Sequence, residues 1–264
     1  MLQNMNTNDT DMVVCANCGR KGRDINNTCN KCNQVKYCNA ACKKKHRHKH
    51  KKECERLAVD LHDEKLFKQH LPKEDCPICF LLLPTLPTGR TYYSCCGKVI
   101  CSGCIHAPLY DDLGNKVDNT KCPFCRTPQH KSVEEGKERR GKRVEVNDPI
   151  AMFNIGSYYA RGLHGYTQDY TKALELFHRA GELGYAEAYT NIGYAYDNGN
   201  GVEVDKKKAY HYYELAAMGG CVAARHNLGS MAKNAGNMNR ALKHYMIALG
   251  VDRMNLWAQF KKCT

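Results

Sequence analysis

The chain has 264 residues, 42% hydrophobic and 25% charged, with a formal charge of +13 at pH 7. No apolar run approaches the 18 or so residues that a membrane helix needs, so the composition suits a soluble protein. Seventeen cysteines, most of them in close pairs, follow a polar N-terminus (Met1 to Met12) without a signal-peptide core. That combination reads as metal sites in a reducing compartment, cytoplasmic or nuclear, rather than disulfides.

Residues 1–14 are expected to be disordered. The ligand pattern then begins: Cys15-x-x-Cys18, Cys29-x-x-Cys32, Cys38-x-x-x-Cys42 and His50-x-x-x-Cys54. A C-x-x-C clip lets two thiolates reach one ion from a single turn. An i, i+4 pair points both donors off one helical face. His46 and His48 compete with His50, which the spacing favours. This segment, 15–54, resembles a MYND finger. The resemblance implies two interleaved zinc sites, Cys15, Cys18, Cys38 and Cys42 on one ion and Cys29, Cys32, His50 and Cys54 on the other. The family's peptide groove uses a Gln just after the sixth ligand and a Trp four further on; Lys43 and Arg47 stand there in this chain.

The run KKKHRHKHKK, Lys43 to Lys52, is the densest charge in the chain. It reads first as a solvated helix face around His50, and next as a nuclear localisation signal or a nucleic-acid patch. The absence of interleaved aromatics argues against single-strand stacking, and nucleic acid is not expected as a main partner. Residues 55–72 place Leu57, Leu61, Leu66, Phe67 and Leu71 near a helical period, stopped by Pro72. They predict a helical connector.

Residues 73–128 carry eight more thiols: Cys76-x-x-Cys79, the Cys95–Cys96 doublet, Cys101-x-x-Cys104 and Cys122-x-x-Cys125. Eight thiols supply two four-coordinate zinc ions. About fifty residues bury too little core to fold unaided, so metal is expected to hold this segment together. Cys95 and Cys96 are taken as a pair, with His106 as the alternative for one of them. Residues 76–126 resemble a RING finger. That family's cross-brace implies Cys76, Cys79, Cys101 and Cys104 on one ion and Cys95, Cys96, Cys122 and Cys125 on the other. It further implies a ubiquitin-conjugating enzyme as partner, touched by Ile78, Pro123 and Arg126. The family usually has a ligand His in the register of Lys98; a protonated lysine is a donor only and does not ligate zinc. With four zinc ions bound, three four-thiolate sites at −2 and one mixed site at −1 would lower the charge from +13 to roughly +6.

Residues 129–147 are polar, Gly-broken and mixed in charge, a charged linker with some helix. From 148 the chain repeats at about 36 residues. Ile155-Gly156-x-x-Tyr159 returns as Ile192-Gly193-x-x-Tyr196 and, weakly, as Leu228-Gly229. The small residues admit a neighbouring helix, and Phe177, Tyr213 and Tyr245 fill the gap. Asp148, Asp169 and Asp205 stand where helix caps are needed, and Gly184 and Gly220 where helices end. These copies resemble the Sel1-like repeat, a relative of the tetratricopeptide repeat, and imply a protein partner on a concave surface. A last helix, Met254 to Lys262, is expected to cap residues 148–264. Cys221 and Cys263 are read as ordinary thiols.

The expected fold is thus two small zinc-stapled α+β fingers followed by an all-α helical-repeat solenoid. No nucleophile–base constellation, Walker loop or dinucleotide fingerprint appears, and no catalytic residue is assigned. The function expected by resemblance is a RING-type ubiquitin-protein transferase that brings a conjugating enzyme and a substrate together. A zinc-dependent interaction adaptor is the alternative, and a nucleic-acid-binding zinc protein a weaker one.

Overall fold

The computed structural model describes residues 12–68, 74–84, 89–106 and 120–249. The expected helix Met254–Lys262, the stop at Pro72 and the thiol Cys263 lie outside them. The chain divides into two compact units, Met1–Leu66 and Phe67–Thr264.

The first unit has two short antiparallel hairpins, β1 (Val13–Val14) with β2 (Lys21–Gly22) and β3 (Asn27–Thr28) with β4 (Lys36–Tyr37). Val13 and Val14, placed in the N-terminal tail by the sequence reading, are already paired strand. The long helix α1 (Ala40–Leu66) follows. Asn39 starts it by accepting the Cys42 N–H at 2.8 Å. The apolar core reduces to Ile25, Tyr37 and Cys15, with Val13 and Val35 packed against them. Hairpins of two residues per strand on such a core are too small to stand alone.

The second unit opens with a cysteine-rich finger. Its hairpin pairs β5 (Arg90–Tyr93) with β6 (Lys98–Cys101), in register Tyr92 to Val99, and the short α2 (Ser102–His106) follows. Ile100, Leu83, Cys76 and Cys122 are buried together in it. Part of the expected linker is then a regular helix, α3 (Val133–Glu145). It is capped by Ser132 Oγ on the Glu135 N–H and buries Gly136 and Arg140.

Six further helices follow among the described residues: α4 (Pro149–Arg161), α5 (Tyr170–Glu182), α6 (Ala186–Asn198), α7 (Lys206–Met218), α8 (Val222–Asn234) and α9 (Met238–Ala248). They pack as successive pairs, α4 on α5, α6 on α7 and α8 on α9, with α5 against α6 and α7 against α8. Asp148, Asp169 and Asp205 cap α4, α5 and α7 through their carboxylates, and Asn237 caps α9. Within each pair a helix glycine lies under an aromatic ring. A Cβ on Gly156 would stand 2.8 Å from Phe177, one on Gly193 2.7 Å from Tyr213, and one on Gly229 2.6 Å from Tyr245. Met152, Ala173, Phe177, Ala180, Ala188 and Ile192 form the core between the first two pairs. Each large apolar side chain so buried stabilises the array by about 1.5–3 kcal/mol. This core is apolar and needs no metal.

The finger of the second unit is joined to the repeats by polar contacts. Tyr92 Oη donates to Asp148 Oδ2 at 2.8 Å, and Arg143 donates to the same oxygen through Nε and Nη2 at 2.9 and 2.8 Å. The other oxygen of Asp148 caps α4, accepting the N–H groups of Ile150 and Ala151. Arg90 pairs with Glu187 on α6 at 3.1 Å. At the far end of the array, Phe67 stacks on His244 with ring centres 4.8 Å apart.

Candidate metal centres

Four of the five C-x-x-C clips share one turn. The N–H after the second cysteine returns to the carbonyl of the first: Gly19 to Cys15, Asn33 to Cys29, Phe80 to Cys76 and Arg126 to Cys122, at 2.9 to 3.0 Å. The first cysteine's N–H then bonds across the hairpin to Arg20, Val35, Leu81 or Thr127. These bonds require a left-handed residue after the clip, and φ there is 74°, 51°, 59° and 60°. Gly19 and Asn33 tolerate that conformation. Phe80 and Arg126 pay about 1–2 kcal/mol for it.

The turns bring sixteen donor atoms into four tetrads. Cys15, Cys18, Cys38 and Cys42 form one, and Cys29, Cys32, His50 and Cys54 the second. Cys76, Cys79, Cys101 and Cys104 form the third, and Cys95, Cys96, Cys122 and Cys125 the fourth. Within each, all donor atoms lie within 4.8 Å of one another. Neighbouring sulfurs stand 3.4 to 3.9 Å apart. A tetrahedron with zinc–sulfur bonds of about 2.3 Å has edges of about 3.8 Å, so the donor spacing fits zinc. His50 turns Nε2 to its tetrad, 3.3 Å from Cys32 Sγ. His46, its sequence competitor, instead meets the Tyr37 hydroxyl through Nδ1 at 3.2 Å. His106 belongs to none of the tetrads, and Lys98 lies 6.0 Å from the centre of the Phe124 ring.

Each tetrad contains one acidic thiol. Cys15, Cys29, Cys76 and Cys125 have pKa values lowered to about 6. Burial pushes each up, and hydrogen bonds from the knuckle backbone and neighbouring side chains outweigh it. Their partners move the other way. Burial first, and neighbouring thiols next, raise Cys54 to about 11 and Cys104 to about 12. The Cys42 thiol, then burial, raises Cys38 to about 12. At neutral pH the metal-free tetrads therefore hold thiolate and thiol side by side, and zinc must displace the remaining protons. Calorimetry in buffers of different ionisation enthalpy is expected to show more than one proton released per zinc at pH 7. Zinc affinity is expected to fall as pH is lowered, most steeply below about 6, where the acidic thiols of the metal-free tetrads also bind a proton. Proton release of zero would contradict this.

Of the side chains expected to meet a partner, Ile78 is 37% exposed, Arg126 is exposed and Pro123 is half-buried. The structure adds Phe80, 78% exposed, and Phe124, 43% exposed. Phe80 escaped the sequence reading, yet a signal was there. The same place after the first two clips holds Gly19 and Asn33, which suit the turn, whereas a bulky Phe does not suit a left-handed residue.

The tetrads and the helical array define a zinc-binding repeat protein with four metal sites among the described residues, each closed by four protein donors. Among the described residues no helix is long and apolar enough to cross a membrane. Residues 15–54 match the MYND finger family, and residues 149–185 and 186–221 match two Sel1 repeats. The pair α8 and α9 continues the helical pattern beyond the matched residues. The E3 ubiquitin-protein ligase DA2 of Arabidopsis thaliana is 38% identical over 76 residues, 27% of this chain and 17% of that protein. The ERAD-associated E3 ubiquitin-protein ligase component HRD3B of the same plant is 31% identical over 105 residues, 39% of this chain and 16% of that protein. A crystal structure of a Sel1 repeat protein from Oxalobacter formigenes matches at 34% identity and a TM-score of 0.41, over 47% of this chain and 51% of that one. The chain thus spans less than a fifth of the length of these curated relatives.

Proposed function

We propose that the chain is a RING-type ubiquitin ligase. The finger at residues 73–128 receives a charged conjugating enzyme, and the repeats from residue 148 hold a protein substrate. The sixteen tetrad residues act as zinc ligands, and the MYND finger serves as a further interaction module. No side chain of this protein performs the transfer; its contribution is to hold donor and acceptor close. One observation carries this reading. The clips at Cys76 and Cys122 present Ile78, Phe80 and Phe124 to solvent, with Arg126 exposed beside the last ligand. Apolar side chains on a metal-fixed turn make good interface anchors. The ligase names borne by two relatives support the same direction.

The test is ubiquitin transfer by zinc-loaded protein across a panel of conjugating enzymes. Ile78→Ala is expected to lower transfer at least ten-fold at unchanged zinc content, the loss typical of truncating an anchor. Arg126→Ala is expected to keep enzyme binding and slow transfer. Absence of transfer with every enzyme, or wild-type activity of Ile78→Ala, would leave the adaptor reading in its place.

A further inference from the structure

A cavity of about 260 Å³ lies between the second finger, α3 and the first repeat. Cys95 and Cys122 stand on its finger side, and Arg139, Arg140 and Tyr158 on its helical side. Among the described residues none that lines it is Asp or Glu. The two arginines differ. Arg139 donates to the Pro128 carbonyl at 2.7 Å and to Glu135 Oε1 at 2.5 Å. Arg140 is only 7% exposed, lies with its guanidinium carbon 5.1 Å from the centre of the Tyr158 ring, and leaves Nε without a hydrogen-bond partner among the described residues. Buried donors on charged groups are rarely left unpaired in folded proteins.

We propose that this cavity binds a carboxylate, with Arg140 as its anchoring residue. This inference stands apart from the ligase reading and does not depend on it. Tyr158 covers the guanidinium, and a carboxylate matches the guanidinium's fork with two parallel hydrogen bonds. The amide of Asn154 and the imidazoles of His130 and His164 line the same cavity and add further hydrogen-bonding groups. The neighbouring zinc site selects against a second charge. With zinc bound, the tetrad containing Cys95 and Cys122 carries −2, which a monoanion beside Arg140 tolerates better than a phosphate near −2. The volume exceeds that of one carboxylate, so the cavity takes the group together with what carries it. The carrier is either a small free acid or the carboxyl terminus of a peptide.

The experiment uses the zinc-loaded full chain labelled with nitrogen-15. The probes are butyrate, which carries a single carboxylate, an acetylated tetrapeptide with a free carboxyl terminus, the same peptide amidated, and inorganic phosphate. Butyrate or the free-acid peptide is expected to shift the Arg140 Nε–H resonance and to bind at least ten-fold more tightly than the amidated peptide or phosphate. Which of the two acids binds more tightly identifies the source. Arg140→Gln is expected to weaken binding at least ten-fold at unchanged zinc content and helical circular dichroism, and Arg140→Lys, which lacks the fork, to restore part of it. If Arg140→Gln loses zinc or helix, the wild-type resonance titration decides alone. No shift of that resonance with either acid at millimolar concentration overturns the proposal, as does phosphate binding as tightly as the acids.

Discussion

Removing zinc from the full chain should unfold both fingers while the repeats stay helical and melt several degrees lower. Among the described residues the buried apolar side chains of the fingers, beside the cysteines, are Ile25 and Tyr37 in the first and Leu83 and Ile100 in the second, with Val13 and Val35, and Tyr93, Val99 and Ile105, packed against them. Structural zinc supplies an apparent 10–16 kcal/mol per ion in finger peptides, far more than so few side chains contribute. The repeats carry their own core around Met152, Phe177 and Ile192, so chelation leaves them a folded state. They are not untouched, because the second finger holds Asp148 through Tyr92 and Glu187 through Arg90. A hydrogen bond to a charged group contributes about 1.5–3 kcal/mol. Losing about 1 kcal/mol lowers the midpoint of a domain of this size by roughly 4–8 °C. Elemental analysis and thermal circular dichroism at 222 nm, with and without chelator, measure both parts. Some helical signal goes with α1, whose His50 and Cys54 lose their ion. Loss of most of the signal at room temperature would contradict the independence of the repeat core. An unchanged melting point would contradict the coupling through Asp148.

The second large effect lies in the repeats. Phe177→Ala is expected to destabilise the zinc-loaded protein by about 3–5 kcal/mol, the usual cost of emptying a buried aromatic site. Phe177 is 3% exposed and fills the space that Gly156 leaves open. The converse change, Gly156→Val, is expected to cost about 1–3 kcal/mol by overpacking. A Cβ there meets the Phe177 ring at 2.8 Å and the Ala173 carbonyl oxygen at 3.2 Å, and the backbone atom cannot swing aside. Repeat arrays are stabilised by nearest-neighbour contacts, so both losses should fall on α4 to α7 and spare α8 and α9. Urea titration followed by circular dichroism gives the size. Hydrogen exchange gives the location. A change below about 1 kcal/mol for Phe177→Ala would mean that the ring is not the core residue its burial indicates.

The legible parts of this molecule are those whose cause is local. A C-x-x-C clip is a turn of five residues closed by its own backbone, and four of the five clips recur as one geometry because nothing distant is needed to make it. The same holds for the caps at Asp148, Asp169 and Asp205, where a carboxylate two or three residues away satisfies the first N–H groups of a helix. The glycine and aromatic offsets of the repeats are also local in kind, since each pair of helices carries its own copy.

Helix α3 was not legible as a packed element because its buried face carries no apolar stripe. It is built from Gly136 and Arg140, and a periodicity of hydrophobic residues cannot report a face made of a glycine and an arginine. Phe67, read as one more apolar residue of a connecting helix, takes its place from His244, which lies far along the sequence. Taken alone, then, the sequence determined the zinc-stapled fingers, the helical array and the kinds of donor, because spacing along the chain dictates which atoms one turn or one helical face can present. The tertiary structure alone decided that a zinc finger and a repeat share Asp148, that Phe80 stands exposed on a strained turn, and that Arg140 is buried beside a cavity with no partner for its Nε among the described residues. Those facts depend on which residues meet across long separations, and no local pattern encodes a meeting of that kind.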